Sequence, residues 1–297
     1  MGKLYGALLL LSLIWGTSFL FIKILLEDIS PAAVVFGRCL FGSATLAFIV
    51  LIKRENIVFK RLPMKKLILV GFLNNALPWL LISASEMMIS SSMASVLNAT
   101  TPIWTLLIGS LFFTAALGKN QWLGIVIGFI GILILSDIHT ADLLSGNTYG
   151  VLLMSGAAFC YGAGTHLTKK HLSGVSTLQI SLFTLFAATI ISFFAMQFLS
   201  PTPINKFMEA VIFLPLIGLG AFGSGVAYLL YYYLVKEGSP EFASLVTYIV
   251  PASAIVWGGI LLKEEIHLSM MIGLLIIFAG VYITSKKERS AGRKAAA

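Results

Sequence analysis

Residues 4–26 read LYGALLLLSLIWGTSFLFIKILL, and residues 268–285 read LSMMIGLLIIFAGVYITS. Each is about 20 residues long and almost wholly apolar, enough at ~1.5 Å per residue to cross a hydrocarbon core ~30 Å thick. The chain between them has the same character. Of its 297 residues, 58% are hydrophobic and 11% charged, against about 25% charged in an ordinary soluble domain. Working outward from the first segment, ten such stretches are predicted, at 4–26, 32–52, 66–86, 92–113, 121–136, 149–169, 176–199, 211–234, 241–262 and 268–285. A water-soluble globule has nowhere to bury ten of them. The expected fold class is an all-α membrane protein of ten transmembrane helices, multi-pass in the inner membrane. The first segment exceeds the roughly 7–15-residue apolar core of a signal peptide and has no small-x-small cleavage site behind it, so it is read as a retained helix.

Several function classes drop out on composition. The two cysteines, Cys39 and Cys160, fall inside predicted spans and read as small packing residues. No Cys/His cluster has metal-ligand spacing, and no phosphate-binding Gly-Lys-Ser/Thr loop, Gly-x-Ser-x-Gly or His-Glu-x-x-His motif is present. No catalytic residue, metal or cofactor is therefore expected, and neither an enzyme nor an ATP-driven pump. The net charge of +8 does not point to nucleic acid, because the basic residues flank the apolar spans.

Those basic residues orient the chain. With the N-terminus in the cytoplasm, sixteen of the twenty Lys and Arg fall on the inner side: Lys3, the 53–66 group, Lys119, Lys169, Lys170, Lys236 and the 286–294 group. Excess Lys and Arg marks cytoplasmic loops, so both termini are placed inside and 286–297 is read as a basic cytoplasmic tail.

The spans also repeat. Trp15-Gly16 and Lys23 match Tyr161-Gly162 and Lys169 at an offset of 146, as Ser30 matches Ser176. Ala94-Ser95, Pro102, Gly109, Gly124 and Gly131 match Ala243-Ser244, Pro251, Gly258, Gly273 and Gly280 at 149. The two repeats cover 4–136 and 149–285. Five spans is an odd number, so the second copy must be inverted relative to the first. Inverted repeats place a solute site near the midplane between halves that exchange conformations.

Trp15-Gly16-Thr17-Ser18-Phe19 with Lys23, Ala94-Ser95-Val96-Leu97 leading to Pro102, and Gln121-x-x-Gly124 with Gly128 and Gly131 resemble the EamA repeat of the drug/metabolite transporter superfamily. The second copy keeps Tyr161-Gly162, Ala243-Ser244, Pro251, Glu264 and Gly273. One departure is visible. The family usually carries an acidic step after spans 4 and 9; Glu264-Glu265 supplies it in the second half, and Ala115-Ala116 stands there in the first. The resemblance implies export or facilitated movement of small amino-acid-like or related metabolites, to which the inverted repeat adds alternating access; multidrug or cationic-drug export is the alternative, and a membrane-embedded enzyme or scaffold the non-transport one. It further implies that spans 1, 3, 4, 6, 8 and 9 surround a central cavity and that spans 5 and 10 are peripheral.

Polar and aromatic residues collect in those spans, and the candidate solute-binding set is drawn from them. It comprises Trp15 in span 1, Asn75 and Trp79 in span 3, and Asn98, Thr101 and Trp104 in span 4. Tyr161 in span 6, Tyr228 in span 8 and Tyr248 in span 9 complete it. An amide bare to hydrocarbon costs several kcal/mol, so the asparagines must face protein or water. Pro102 and Pro251 are candidate hinges, because each removes a backbone donor and bends its helix. His166 reads as structural. The carboxylates Glu86, Glu241, Glu264 and Glu265 all fall near span ends, and no acid lies between Gly2 and Leu26, which argues against a quaternary-cation antiporter. Arg38, about seven residues into span 2, carries two open readings. In the structural one it snorkels outward or pairs with Glu86 or Glu264; in the functional one it meets a solute carboxylate or forms part of an outer gate.

Overall fold

The computed structural model describes residues 2–55, 57, 62–113, 118–136, 146–239, 242–243 and 246–285. The predicted tail, Glu241 and the Ala115-Ala116 step lie outside the described residues. Among those described, ten long helices follow one another. The first half holds α1 (Gly2–Leu25), α2 (Pro31–Lys53), α3 (Met64–Glu86), α4 (Ser91–Phe112) and α5 (Lys119–Ser136). The second holds α6 (Gly146–His171), α7 (Thr177–Leu199), α8 (Ala210–Glu237), α9 (Val246–Leu261) and α10 (Leu268–Ser285). In lipid every backbone polar group must be satisfied within the chain, which leaves helices as the way these segments cross.

The starts of the helices repeat as their sequences do. Ser30 caps α2 by accepting from the Ala33 amide, and Ser176 caps α7 by accepting from the Gln179 amide. Ser90 caps α4 through the Met93 amide, and Ser239, its equivalent at 149, accepts from the Phe242 amide. Each serine oxygen satisfies one of the orphan donors of a first turn.

Contacts between the halves fix their relation. Ser30 at the start of α2 donates to the Ser200 carbonyl just past the end of α7, at 3.3 Å. Ser176 at the start of α7 meets Glu55 just past the end of α2. The two helices are therefore antiparallel. Midway along them Ser43 and Thr189, equivalent residues 146 apart, meet at 3.4 Å. Equivalent residues that touch at mid-span in antiparallel helices lie on a two-fold axis in the membrane plane, the inverted relation expected from the odd span number.

The axis also runs between α5 and α10, which pack chiefly on each other. A Cβ on Gly280 would stand 2.6 Å from the Gly124 carbonyl and 2.7 Å from the Gly128 nitrogen, and one on Gly131 would stand 3.0 Å from the Gly273 carbonyl. Lipid gives no hydrophobic drive for helix association, so close backbone packing of small residues supplies it. The outer faces of this pair, including Leu133 and Leu275, are exposed, as expected of peripheral spans.

Two irregularities position the site. α3 runs as a π-helix over Phe72–Ala76 and α8 over Gly218–Val226, and a shift of 149 carries the first segment inside the second. The glycines of α8 foreshadow its widened turn. Nothing in Phe72-Leu73-Asn74-Asn75-Ala76 does so as plainly. π-Bulges re-aim the residues beyond them and often mark functional sites.

Candidate functional site

Between the halves lies a cavity of about 40 Å³, room for about three water molecules. Trp15, Ser18, Phe19 and Ile22 form its α1 wall, Trp79 and Ile82 its α3 wall, and Asn98 and Thr101 its α4 wall. Tyr161 and Thr165 come from α6, Tyr231 from α8, and Ala243 and Val246 from the start of α9. Arg38 enters from α2, a helix that the resemblance did not count among the walls.

Arg38 is the one ionisable residue among these lining residues other than tyrosine. Its guanidinium carbon stands 3.6 Å from the centre of the Trp79 ring, and its Nε donates to Ser224 Oγ at 3.1 Å. Ser224 in turn donates to the Leu219 carbonyl, five residues back, a bond that the π-turn makes available. Stack and hydroxyl hold the planar fork in place while the residue is 3% exposed. Neither expected acid is hydrogen-bonded to it. Glu264 accepts from the backbone amides of Ser91 and Ser92 at 2.7 and 3.0 Å and from Ser92 Oγ at 2.5 Å, and both Glu86 carboxyl oxygens are buried without a hydrogen-bond partner. The acid-pairing reading of Arg38 is therefore corrected.

Asn98 and Thr101 are shaped by Pro102. Proline has no amide hydrogen to offer the carbonyl four residues back, and the Asn98 carbonyl instead accepts from Thr101 Oγ1 at 2.7 Å. α4 is interrupted at residues 99–100 and restarts at Thr101, which leaves the Asn98 and Thr101 side chains in the cavity wall. Pro251 stands inside α9 at the equivalent place.

Other expected residues lie elsewhere. Tyr228 forms a second layer, with its ring 5.8 Å from Trp15 and 5.4 Å from Trp79 and its hydroxyl donating to the Asn74 carbonyl. Trp15 is braced in turn by its indole N–H donating to the Gly223 carbonyl at 3.1 Å. Asn75 is fully buried outside the cavity, with neither side-chain polar atom paired. Trp104 points away from the cavity, edge-on to Phe129 of α5 and Phe159 of α6. Its mid-span position is as expected, but its face is the opposite one, because the break at 99–100 resets the helical phase. The side chain of Tyr248 lies outside the described residues. His166 Nε2 donates to the Thr105 carbonyl at 2.9 Å and the ring stacks on Phe113, near the end of α6 and clear of the cavity. The lining residues outside the candidate set are Thr165 and Tyr231, whose polar and aromatic character could have placed them in it, and Ser18, Phe19, Ile22, Ile82, Ala243 and Val246, which are small or apolar and carry no signal of their own.

Repeat-related lysines sit at the ends of the first helix of each half. Lys23 at the end of α1 donates to the Glu86 and Ile89 carbonyls at 2.5 and 3.1 Å. Lys169 near the end of α6, its equivalent at 146, donates to the Val235 and Lys236 carbonyls at 3.3 and 3.0 Å. Glu86 and Val235 are themselves equivalent at 149. A cation on the unsatisfied carbonyls of a helix C-terminus is stabilising, so each lysine ties one half's first helix to that half's third. On the Lys23 face Glu264 adds a second tie by capping α4. Burial alone pushes its carboxyl up, but the bonds from Ser92 and Ser91 together hold it below the usual carboxylate range.

A model of the EamA-like transporter family matches residues 3–137 and 148–286. An uncharacterized transporter of Archaeoglobus fulgidus is 26% identical over 276 residues, covering 92% of this chain and 95% of the relative. The uncharacterized inner membrane transporter YedA of Escherichia coli K12 is 29% identical over 289 residues, covering 96% and 91%. A crystal structure of another protein superposes with a TM-score of 0.70 at 14% identity, over 96% of this chain and 97% of that one, which shows a shared fold.

Proposed function

The chain belongs to the EamA-like transporter family, and from that premise we propose that it exports small zwitterionic, amino-acid-like solutes through the inner membrane by alternating access. The observation that carries the solute class is Arg38. A guanidinium fixed by Trp79 and Ser224 in the cavity wall, and hydrogen-bonded to neither nearby glutamate, presents a planar fork suited to a carboxylate. The same cavity is lined by the rings of Trp15, Tyr161 and Tyr231, which suit an ammonium or an apolar side chain. A cavity for organic cations would need an acid, and its described lining holds an arginine instead.

In the proposal both termini are cytoplasmic, supported by the sixteen inner basic residues. The repeats 4–136 and 149–285 act as the moving halves, and 286–297 is the cytoplasmic tail. Solute sites run to roughly 300–1,000 Å³, so the cavity of about 40 Å³ belongs to a closed conformation in which both lysine ties are made. Release of the Lys23 tie opens the periplasmic side and release of the Lys169 tie the cytoplasmic side. Pro102, Pro251 and the two π-segments supply the pliable points.

Counterflow into proteoliposomes tests this reading. Liposomes loaded with unlabelled amino acids should draw in labelled leucine or a related neutral amino acid, and Trp15→Ala or Asn98→Ala should slow uptake while Ile130→Ala on the exposed face of α5 does not. Equal loss in cavity and control variants would sink the assignment of the site.

A further inference from the structure

We propose that Glu86 is a proton-carrying site that couples solute movement to the proton gradient; this rests on the transport reading above and adds its driving ion. Glu86 ends α3, fully buried, with neither carboxyl oxygen hydrogen-bonded. An ionised carboxylate held so, with no donor, is strongly disfavoured, and a protonated one is tolerated. The closed conformation therefore selects the carboxyl with its proton on.

The second repeat shows that the architecture does not need the acid. Val235 occupies the equivalent position, also fully buried, beneath the same kind of lysine tie. That end is built of a helix end, a capping lysine and a valine, with no acid at the position. On the other face the same construction carries a carboxyl with no hydrogen-bond partner, and buried acids of this kind mark proton pathways in membrane proteins.

Its placement connects it to the solute. Trp79, Ile82 and Glu86 stand at i, i+3 and i+7 on one stripe of α3, and the first two line the cavity. Ser83 Oγ and both polar atoms of Asn75, on the same helix, are likewise buried without partners. Unpaired polar atoms of this kind are ordinarily satisfied by water, which would form a path for protons along α3. The charged groups acting on Glu86 are the Lys23 ammonium from α1, Glu264 from the α9–α10 connection and Arg38 from α2. The adjoining turns of α4 and α6 contribute Ser91, Ser92 and Gly150, with a half-exposed Tyr149 beside them.

The cycle balances simply. When the Lys23 tie opens, the carboxyl O–H can break, with its proton passing to water and its electron pair staying on oxygen. The Lys23 ammonium, freed from the Glu86 and Ile89 carbonyls, is then the counter-charge at hand. Without solute, closing requires the carboxyl to take a proton from water on that side; in the opposite conformation, where the same stripe faces the cavity, the O–H breaks and the proton passes to water on the other face. The return closes over bound solute, whose ammonium replaces the proton as the positive charge beside the ionised carboxylate, so that one proton moves one way for each solute moved the other.

Two measurements test this on the full-length protein. In the first, with no solute present, infrared difference spectra between acid and alkaline pH should show the carbonyl stretch of a protonated carboxylic acid, absent in Glu86→Gln. An unchanged band in that variant would overturn the proposal. In the second, proteoliposomes are assayed with leucine for counterflow and for accumulation driven by a pH gradient. Glu86→Val and Glu86→Gln should fold, keep counterflow and lose gradient-driven accumulation. Gradient-driven accumulation that survives in Glu86→Val, wild-type counterflow that ignores the gradient, or failure of Glu86→Val to fold would each overturn it. Absence of counterflow in the wild type would instead count against the transport reading, and the infrared band would still decide whether Glu86 holds a proton.

Discussion

Replacing Arg38 by lysine keeps a positive charge in the cavity and removes the planar fork. In the structure the guanidinium has one N–H committed to Ser224 and its face to Trp79, which leaves the outer fork for a carboxylate. A net charge-assisted hydrogen bond contributes ~1.5–3 kcal/mol. Losing one arm of a bidentate contact should therefore weaken solute binding about 10- to 100-fold at ~1.4 kcal/mol per decade. Arg38→Met loses the charge as well and should fall further. The informative assay is counterflow with two probes, leucine and leucinol, the second lacking the carboxylate. Arg38→Lys should raise the apparent KM for leucine by that factor and leave competition by leucinol unchanged, with normal membrane abundance. If the KM for leucine is unaltered, or if leucine and leucinol suffer alike, Arg38 does not read a carboxylate.

Other outcomes follow from the same geometry. Gly280→Leu should destabilise the protein by ~1–3 kcal/mol or more through overpacking against Gly124 and Gly128, read as a lower Tm in detergent; an unchanged Tm would mean that α5 and α10 do not pack backbone to backbone. Glu264→Gln should cost ~1–2 kcal/mol by weakening the cap on α4. Because the Glu264 carboxyl is held below its ordinary range, its contribution is present above the unfolded-state value and is lost as pH falls through the folded one. The gap in Tm between wild type and Glu264→Gln should accordingly narrow on acidification, and a constant gap would contradict the assignment. Reporter fusions at either terminus and in the 53–65 loop should read cytoplasmic, and one in 137–148 periplasmic; a cytoplasmic reading for the last would reverse the assigned sides.

Much of the fold was legible because lipid restricts the choices. Apolar runs about 20 residues long had to be helices, and the offsets of 146 and 149 had to be a repeat. Ser43 meeting Thr189 on the axis is the physical counterpart of that arithmetic. The site was readable in part. Trp15, Arg38, Trp79, Asn98, Thr101 and Tyr161 were singled out by residue type, and the structure gathers them around one cavity. Trp104 and Asn75 went astray for a reason common to membrane helices. A helix that is apolar all round carries no periodic signal separating its lipid face from its core face, and helical breaks and π-turns rotate everything beyond them. Glu86 was read as a span-end acid, and it does end α3, but fully buried. Burial set by neighbouring elements has no signature in the helix itself.

Alternating access through inverted halves stands or falls on the two lysine ties. Each ammonium holds two carbonyls, and losing a tie worth ~1.5–3 kcal/mol shifts a two-state population about 10- to 100-fold. The direct measurement places one cysteine in the cavity, Ser18→Cys with Cys39 and Cys160 replaced by alanine, and follows its labelling by a membrane-impermeant maleimide in right-side-out and inside-out vesicles. Lys23→Met should accelerate labelling from the periplasmic face alone, and Lys169→Met from the cytoplasmic face alone. Acceleration from the same face by both substitutions, or by neither from any face, would contradict a cavity exposed in turn by two inverted halves.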